Sequence, residues 1–296
     1  MRAVDVVEFT DPACPFAYSA EPVRQRLLWR FGAQLTWTVR VVGLARDRAA
    51  QEAKGFDEVR NAEVLRDFDA YGMPLAVVDR RTPAGSWDAC RRIVAAREHG
   101  TGKESALLRE LRIAGIAHAR PIDDPDVLAS AARAAGLDPA ELDAWVADED
   151  DDRAFRDDLV AARHPGPAAL ALDHKLADVE ADWPATVGGD ASLAGPGRRY
   201  TCPTYVLHAG DRVAEVPGFQ PWAAIEAVLA NLAPDLDRRA WADDPLEALR
   251  WAGSPLATVE VAAIMGLDDR DEARERLRDA GAVERRAGND ALWTAA

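Results

Sequence analysis

The sequence predicts an α/β protein: a βαβ unit, a long all-helical insertion, a ββα unit, and then a small winged-helix-like module. Three observations carry this. The apolar run Val4-Asp5-Val6-Val7-Glu8-Phe9 and the alternating run Leu35 to Val42 flank a helical stretch, which makes a βαβ unit with parallel pairing. From about Gly55 to Lys175 the strand signals disappear. They return at Thr204-Tyr205-Val206-Leu207-His208, turn through Ala209-Gly210-Asp211, and come back along Arg212 to Val216 as a hairpin.

Taken in order, the first strand feeds a helix expected over Pro15–Phe31. Pro22 lies inside it and predicts a kink, and Gly32 ends it. Helical patterns then follow at Glu58–Tyr71, Trp87–Glu98, Lys103–Ile116, Pro125–Ala135, Pro139–Ala147 and Asp151–Arg163. Ser86 and Asp138 supply good starts for two of them. The acidic run Asp148–Asp152 reads as a solvated turn, and Ala185–Gly197, rich in Gly and Ala, as a mobile surface loop. A last helix over Trp222–Leu232 closes the ββα half, and the polar stretch from Asp235 to Asp244 reads as a linker. Beyond it come helices over Pro255–Met265 and Arg270–Ala280 and a two-strand wing at Ala282–Glu284 and Ala291–Trp293. The expected units are residues 1–54 with 185–235, residues 55–184, and residues 245–296.

Bulk properties exclude some functions. The 296 residues are 48% hydrophobic and 29% charged, ordinary for a soluble globular protein large enough to bury a substantial core. A net charge of −15 argues against a broad phosphate-binding surface, so no nucleic-acid partner is expected. No apolar run is long enough to span a membrane, which leads us to expect a cytoplasmic protein without a membrane partner. Three widely spaced cysteines do not make a disulfide framework, in agreement with a reducing compartment. The five histidines lack zinc-ligand spacing, so no metal is expected.

The chemistry concentrates at Asp11-Pro12-Ala13-Cys14-Pro15-Phe16-Ala17-Tyr18. A cysteine at a strand-to-helix corner meets unpaired N–H groups and the positive helix end, both of which favour a thiolate. Pro15 suits the first helical position. The gap of a C-x-x-C motif is present, but its second position is Ala17, leaving one motif thiol. Asp11 is read either as a turn former or as a tuner of Cys14. Cys90 reads as core, and Phe16 and Tyr18 as groove walls or core. Trp87 and Trp222 read as packing residues, and His208 as a strand histidine satisfied by a partner.

Three features together carry a family resemblance: the motif D-P-x-C-P-x-x-Y after a strand, the helical insertion between the two halves, and Tyr200-Thr201-Cys202-Pro203-Thr204-Tyr205 opening the second half. Over roughly residues 1–235 the chain resembles the DsbA-like branch of the thioredoxin fold. The likeness is particularly to FrnE-type proteins and 2-hydroxychromene-2-carboxylate isomerases. The resemblance implies a thioredoxin-like fold in which Pro203 is cis and Thr201, Cys202 and Pro203 line the Cys14 pocket.

It further implies thiol-disulfide oxidoreductase chemistry with Cys14 as catalytic nucleophile, and Pro15, Phe16, Ala17, Thr201 and Pro203 as substrate-binding residues. Cys202 becomes a candidate resolving thiol across the pocket. The expected partner is a thiol-containing protein or small molecule, with no covalently bound cofactor. Alternatives are a transferase or isomerase dependent on a low-molecular-weight thiol, glutathione or mycothiol, and a non-catalytic peptide-binding scaffold. Ala17 departs from the dithiol pattern and stops a redox cycle from closing within the motif. The C-terminal piece carries thirteen acids against nine lysine or arginine residues between Leu236 and Ala296. That suits a docking or homodimer module better than a DNA reader.

Overall fold

The computed structural model describes residues 4–180, 183 and 195–296. The expected loop at Ala185–Gly197 falls, up to residue 194, outside the described residues. Strand β1 (Val4–Thr10) is central in a four-stranded sheet of order β2-β1-β5-β6, with β2 at Leu35–Val41, β5 at Thr204–Ala209 and β6 at Arg212–Val216. β1 runs parallel to β2 and antiparallel to β5, with Val6 opposite Trp37 on one side and Leu207 on the other. Val4, Val6, Leu35, Tyr205 and Leu207 pack beneath Leu27 and Phe31 of the helix that follows β1, and beneath Ile225 and Leu229 of the last helix of this half.

The helix expected over Pro15–Phe31 is two helices, α1 (Pro15–Ser19) and α2 (Glu21–Phe31), broken at Ala20. Pro22 has no N–H to give the Tyr18 carbonyl, and its ring crowds that carbonyl, so the chain breaks rather than bends. Cys14 therefore heads a helix of five residues, and the long dipole expected behind it is shorter.

The insertion is helical: α3 (Arg48–Ala53), α4 (Glu58–Arg66), α5 (Trp87–Glu98), α6 (Glu104–Arg112), α7 (Pro125–Ala134), α8 (Pro139–Val146), α9 (Glu149–Ala162) and α10 (Pro167–Leu170). Ile93, Leu107, Leu111, Phe155 and Leu159 build its core against Val39 and Val41 of β2. The acidic run is not a solvated turn. Asp148 caps α9 and the next four acids fill its first turn, where the helix dipole favours them. Asp151 is buried there and meets the His99 ring at 3.0 Å. A π-helical turn at Ile113–Ala117 follows α6, where the periodicity predicts continuous helix. Two short strands, β3 (Leu176–Asp178) and β4 (Arg198–Tyr200), pair ahead of β5, and α11 (Trp222–Leu232) closes the half.

The C-terminal module holds α12 (Pro245–Ala252), β7 (Leu256–Ala257), α13 (Thr258–Met265), α14 (Arg270–Asp279) and the hairpin of β8 (Val283–Ala287) and β9 (Asp290–Thr294). Helix α12 lies between the expected linker and the first helix expected in this module, where no element is predicted. Trp29 of α2 inserts into the module's core beside Leu249, Ile264 and Trp293, and its indole N–H donates to the Ala240 carbonyl at 2.8 Å. The stretch read as a linker thus lies along α2, with Arg239 N–H donating to the Arg30 carbonyl.

The hairpin tip also grips the insertion. Asn289 N–H donates to the Leu75 carbonyl at 2.9 Å, and Leu75 N–H donates to Asn289 Oδ1 at 2.8 Å. Gly288 has φ +53°, and a Cβ there would lie 2.1 Å from the Leu75 oxygen, so both conformation and approach require glycine. Asn289→Ala is expected to leave the buried Leu75 N–H without its acceptor. Stability should fall by about 1–3 kcal/mol in urea titration, with faster hydrogen exchange at Leu75. Unchanged Leu75 protection would contradict the grip.

Candidate active site around Cys14

The chain leaves β1 through a tight turn held by Asp11. Its Oδ1 accepts from Ala13 N–H at 2.8 Å and its carbonyl from Cys14 N–H at 3.2 Å. Its Oδ2 accepts from Leu44 N–H at 2.8 Å and Ser86 Oγ at 2.9 Å, with Cys90 Sγ at 3.6 Å. Asp11 is therefore a buried tie between the Cys14 turn, the end of β2 and the start of α5. Burial raises its pKa despite these donors. Its charge also works against a Cys14 thiolate, so the turn-forming role is its main contribution. Cys90, buried against Asp11, has its pKa pushed well up and stays a protonated core residue.

Cys14 sits in extended conformation (φ −80°, ψ 115°) immediately before α1 and is 6% exposed. The loop before β5 faces it, and the Cys202–Pro203 peptide bond there is cis. Cys14 Sγ lies 3.5 Å from the Cys202 carbonyl oxygen, to which the protonated thiol donates. The neighbouring Cys202 thiol, as a donor to the Cys14 sulfur, is the largest influence on the Cys14 pKa and lowers it. Burial opposes it, the Ala17 backbone N–H supports it, and Arg112 adds a more distant positive charge. Burial and the neighbouring Cys14 push the Cys202 pKa well above the ordinary value. The two thiols are thus shifted in opposite directions, Cys14 toward its anion and Cys202 toward the protonated donor. Both thiols are free.

Of the remaining residues singled out in the sequence, Ala17 is buried in the same cluster as Cys14, and Pro15 and Phe16 border a cleft beside it. Pro203 is buried, whereas the Thr201 hydroxyl donates to the Lys175 carbonyl at 2.7 Å. His208 pairs with Asp5 at the opposite end of β5 and does not reach the site. Tyr18 is core, 1% exposed, with its pKa raised by burial. Phe16, by contrast, is 43% exposed, and its ring packs edge-on against Phe68 at 4.7 Å and approaches Phe219 at 6.0 Å. Tyr71 closes this aromatic group at 4.8 Å from Phe219.

Beneath the site lies a buried charge network that the motif did not signal. Arg112 donates to Glu21 and Thr10 and lies 3.5 Å from Glu8, which also accepts from the Trp37 indole at 2.9 Å. Arg24 lies 3.5 Å from Glu8, and Arg109 forms a two-armed pair with Glu260 of the C-terminal module at 2.7 Å on each arm. Three guanidiniums therefore face three carboxylates. Burial would raise the Glu21 pKa, but Arg112, Arg24 and Arg109 outweigh it and hold Glu21 ionised. The available signal was Arg109 and Arg112, three apart among Leu107, Leu108 and Leu111 on the inward face of α6.

A cysteine at a strand-to-helix corner, opposite an X-cis-Pro loop on a β2-β1-β5-β6 sheet, defines the site of the thioredoxin-fold thiol-disulfide oxidoreductases. Within that class the chain matches the model of the DSBA-like thioredoxin domain over residues 5–166, and it belongs to that family. A relative, the ClpXP adapter protein SpxH of Shouchella clausii, is 25% identical over 280 residues, 94% of this chain and 82% of its own length. Two solved structures share the fold. A Nitrosomonas europaea protein assigned as a disulfide isomerase has a TM-score of 0.55 and 13% identity, covering 77% of this chain and 97% of its own. A Streptomyces coelicolor protein assigned as a DsbA oxidoreductase has a TM-score of 0.52 and 21% identity, covering 81% and 94%.

Cys202→Ala removes the donor that most favours the Cys14 anion, so the Cys14 pKa is expected to rise. Iodoacetamide labelling rates against pH, read peptide by peptide, would show the midpoint moving to higher pH. Cys202→Ser, which keeps a hydroxyl donor, should move it less. An unmoved midpoint in the alanine variant would refute the assigned order of ionisation.

Proposed function

We propose that this chain is a monothiol oxidoreductase of its family, with Cys14 alone exchanging disulfides with a thiol-containing protein or a low-molecular-weight thiol. The observation that carries the reading is the buried Cys14, biased toward its anion by Cys202 and the Ala17 N–H, beside an alanine where a resolving cysteine would stand. The Cys14 thiolate attacks one sulfur of a disulfide R–S–S–R′. The Cys14–S–S–R bond forms as the S–S bond breaks, and R′–S⁻ leaves and takes a proton from water. A second thiolate, R″–S⁻, then attacks the R sulfur, releasing R–S–S–R″ and restoring the Cys14 thiolate. No net oxidant is consumed.

Cys202 supports this cycle as a hydrogen-bond donor rather than as a nucleophile. Its pKa, raised by burial, keeps the thiolate fraction small, and attack rate follows that fraction. Cis-Pro203, with Thr201 beside it, offers an extended backbone edge for a peptide, with Pro15 and Phe16 on the other side of the thiol. A reducing cytoplasm is the setting in which three free thiols persist. Glutathione and mycothiol are both candidate small thiols, and no nucleic-acid or membrane partner enters the proposal. Among the described residues, no helix is long and apolar enough to cross a membrane.

The natural protein is expected to show negligible dithiol reductase activity on insulin, and Ala17→Cys to gain it. With glutathione disulfide, intact mass should show one glutathione adduct, absent from Cys14→Ser. Vigorous insulin reduction by the natural chain, or tight non-covalent binding of the thiol without an adduct, would overturn the reading. The second outcome would favour a thiol-dependent transferase.

A further inference from the structure

The cleft bordered by Ala13, Pro15 and Phe16 has a volume of about 320 Å³ and runs from the Cys14 corner toward α4. Its walls are mainly apolar, with Phe56, Val64, Leu65 and Phe68 among them, and no carboxylate lines it among the described residues. Three cations do: Lys54, Arg81 and Arg199. Arg199 shares the Glu180 carboxylate, at 3.0 Å, with Arg163. The other two cations have no carboxylate partner among the described residues. Lys54 donates to the Leu44 carbonyl at 2.6 Å, and Arg81 donates to Asn61 Oδ1 and to the Gly115 carbonyl, each at 3.0 Å. All these acceptors are neutral, and neither cation forms an ion pair among the described residues.

Arg81 is half-buried and held in place by two neutral oxygens; a guanidinium has five N–H donors, so three are left without a protein partner among the described residues. Burial with no anion beside it lowers its pKa to about 10. The buried arginines among the described residues, Arg24, Arg109, Arg112 and Arg163, each meet a carboxylate. A half-buried cation with spare donors on the wall of an apolar cleft is complementary to a carboxylate, which would pair with it through two arms. An apolar body would occupy the remaining volume.

We propose that this cleft is a binding site for an organic carboxylate with an apolar body, its carboxylate seated on Arg81 with Lys54 as the second cation. A ligand held there lies alongside the residues that flank Cys14. The site depends on the cleft and its cations, and it stands whether or not Cys14 exchanges disulfides.

Calorimetric titration of the full chain at neutral pH with 3-phenylpropionate and with its uncharged amide, 3-phenylpropionamide, tests this. A charge-assisted pair of this kind should make the acid bind at least about tenfold tighter than the amide. Arg81→Met should bring the acid down to the amide's affinity while leaving the amide unchanged, and Arg81→Lys should retain part of the preference. Cys14→Ser should bind the acid as the natural chain does, which separates this test from that of the disulfide chemistry. Should Arg81→Met not fold, the Arg81 Nε–H resonance of the natural chain is expected to shift with the acid and not with the amide. Equal affinities for acid and amide, no binding of the acid at millimolar concentration, an unmoved Arg81 resonance, or an Arg81→Met variant that binds the acid undiminished would each overturn the proposal.

Discussion

The structure depends on one buried arrangement of charge. Arg109 and Arg112 enter from the helical insertion and meet Glu8 and Glu21 of the sheet half and Glu260 of the C-terminal module. Taking such groups out of water is costly, and only mutual pairing offsets that cost. Removal of any one therefore strands its partners. The network also sets geometry. Thr10, the last residue of β1, accepts from Arg112, and the turn to Cys14 begins at the next residue. The strand end that delivers the cysteine is thereby tied to both appended units.

The same economy of charge explains the thiol. Helix α1 is only five residues long, so its dipole is a weak source of thiolate stabilisation. Direct hydrogen bonding does more. The Cys202 thiol and the Ala17 N–H both lower the Cys14 pKa and together outweigh burial and the charge of Asp11. Losing the second motif cysteine does not remove the amide at position 17, so the motif keeps its power to favour an anion while it lacks an internal resolving thiol. The aromatic group of Phe16, Phe68, Tyr71 and Phe219 beside it draws on both sheet half and insertion. The hairpin tip at Asn289 fixes the backbone just beyond Tyr71, which links the C-terminal module to the face of the site.

Much of this was legible in the sequence, for definite reasons. The βαβ and ββα halves announce themselves because alternating and buried strands have short, strong patterns, and Trp87–Glu98 and Trp222–Leu232 were read to the residue. The break at Ala20 was read only as a kink, because Pro22 signals a lost hydrogen bond but not how the chain relaxes. The acidic run at Asp148 was misread because a capping aspartate followed by acids resembles a polar turn until the helix behind it is seen. The short β3–β4 pair lacks enough residues to show a period. Cys14 was evident from its motif, whereas Arg81, Arg112 and the Asp11 tie depend on partners more than thirty residues away. Long-range pairing of that kind leaves almost no trace in one sequence.

In the proposed cycle Cys14 reacts alone while Cys202 remains a thiol. The most direct measurement is mild oxidation of the natural chain with a small disulfide, digestion without reductant, and mass analysis of every cysteine peptide. The small thiol is expected on Cys14, with Cys90 and Cys202 unmodified. A peptide in which Cys14 is joined to Cys202 would contradict it and make the two a redox pair.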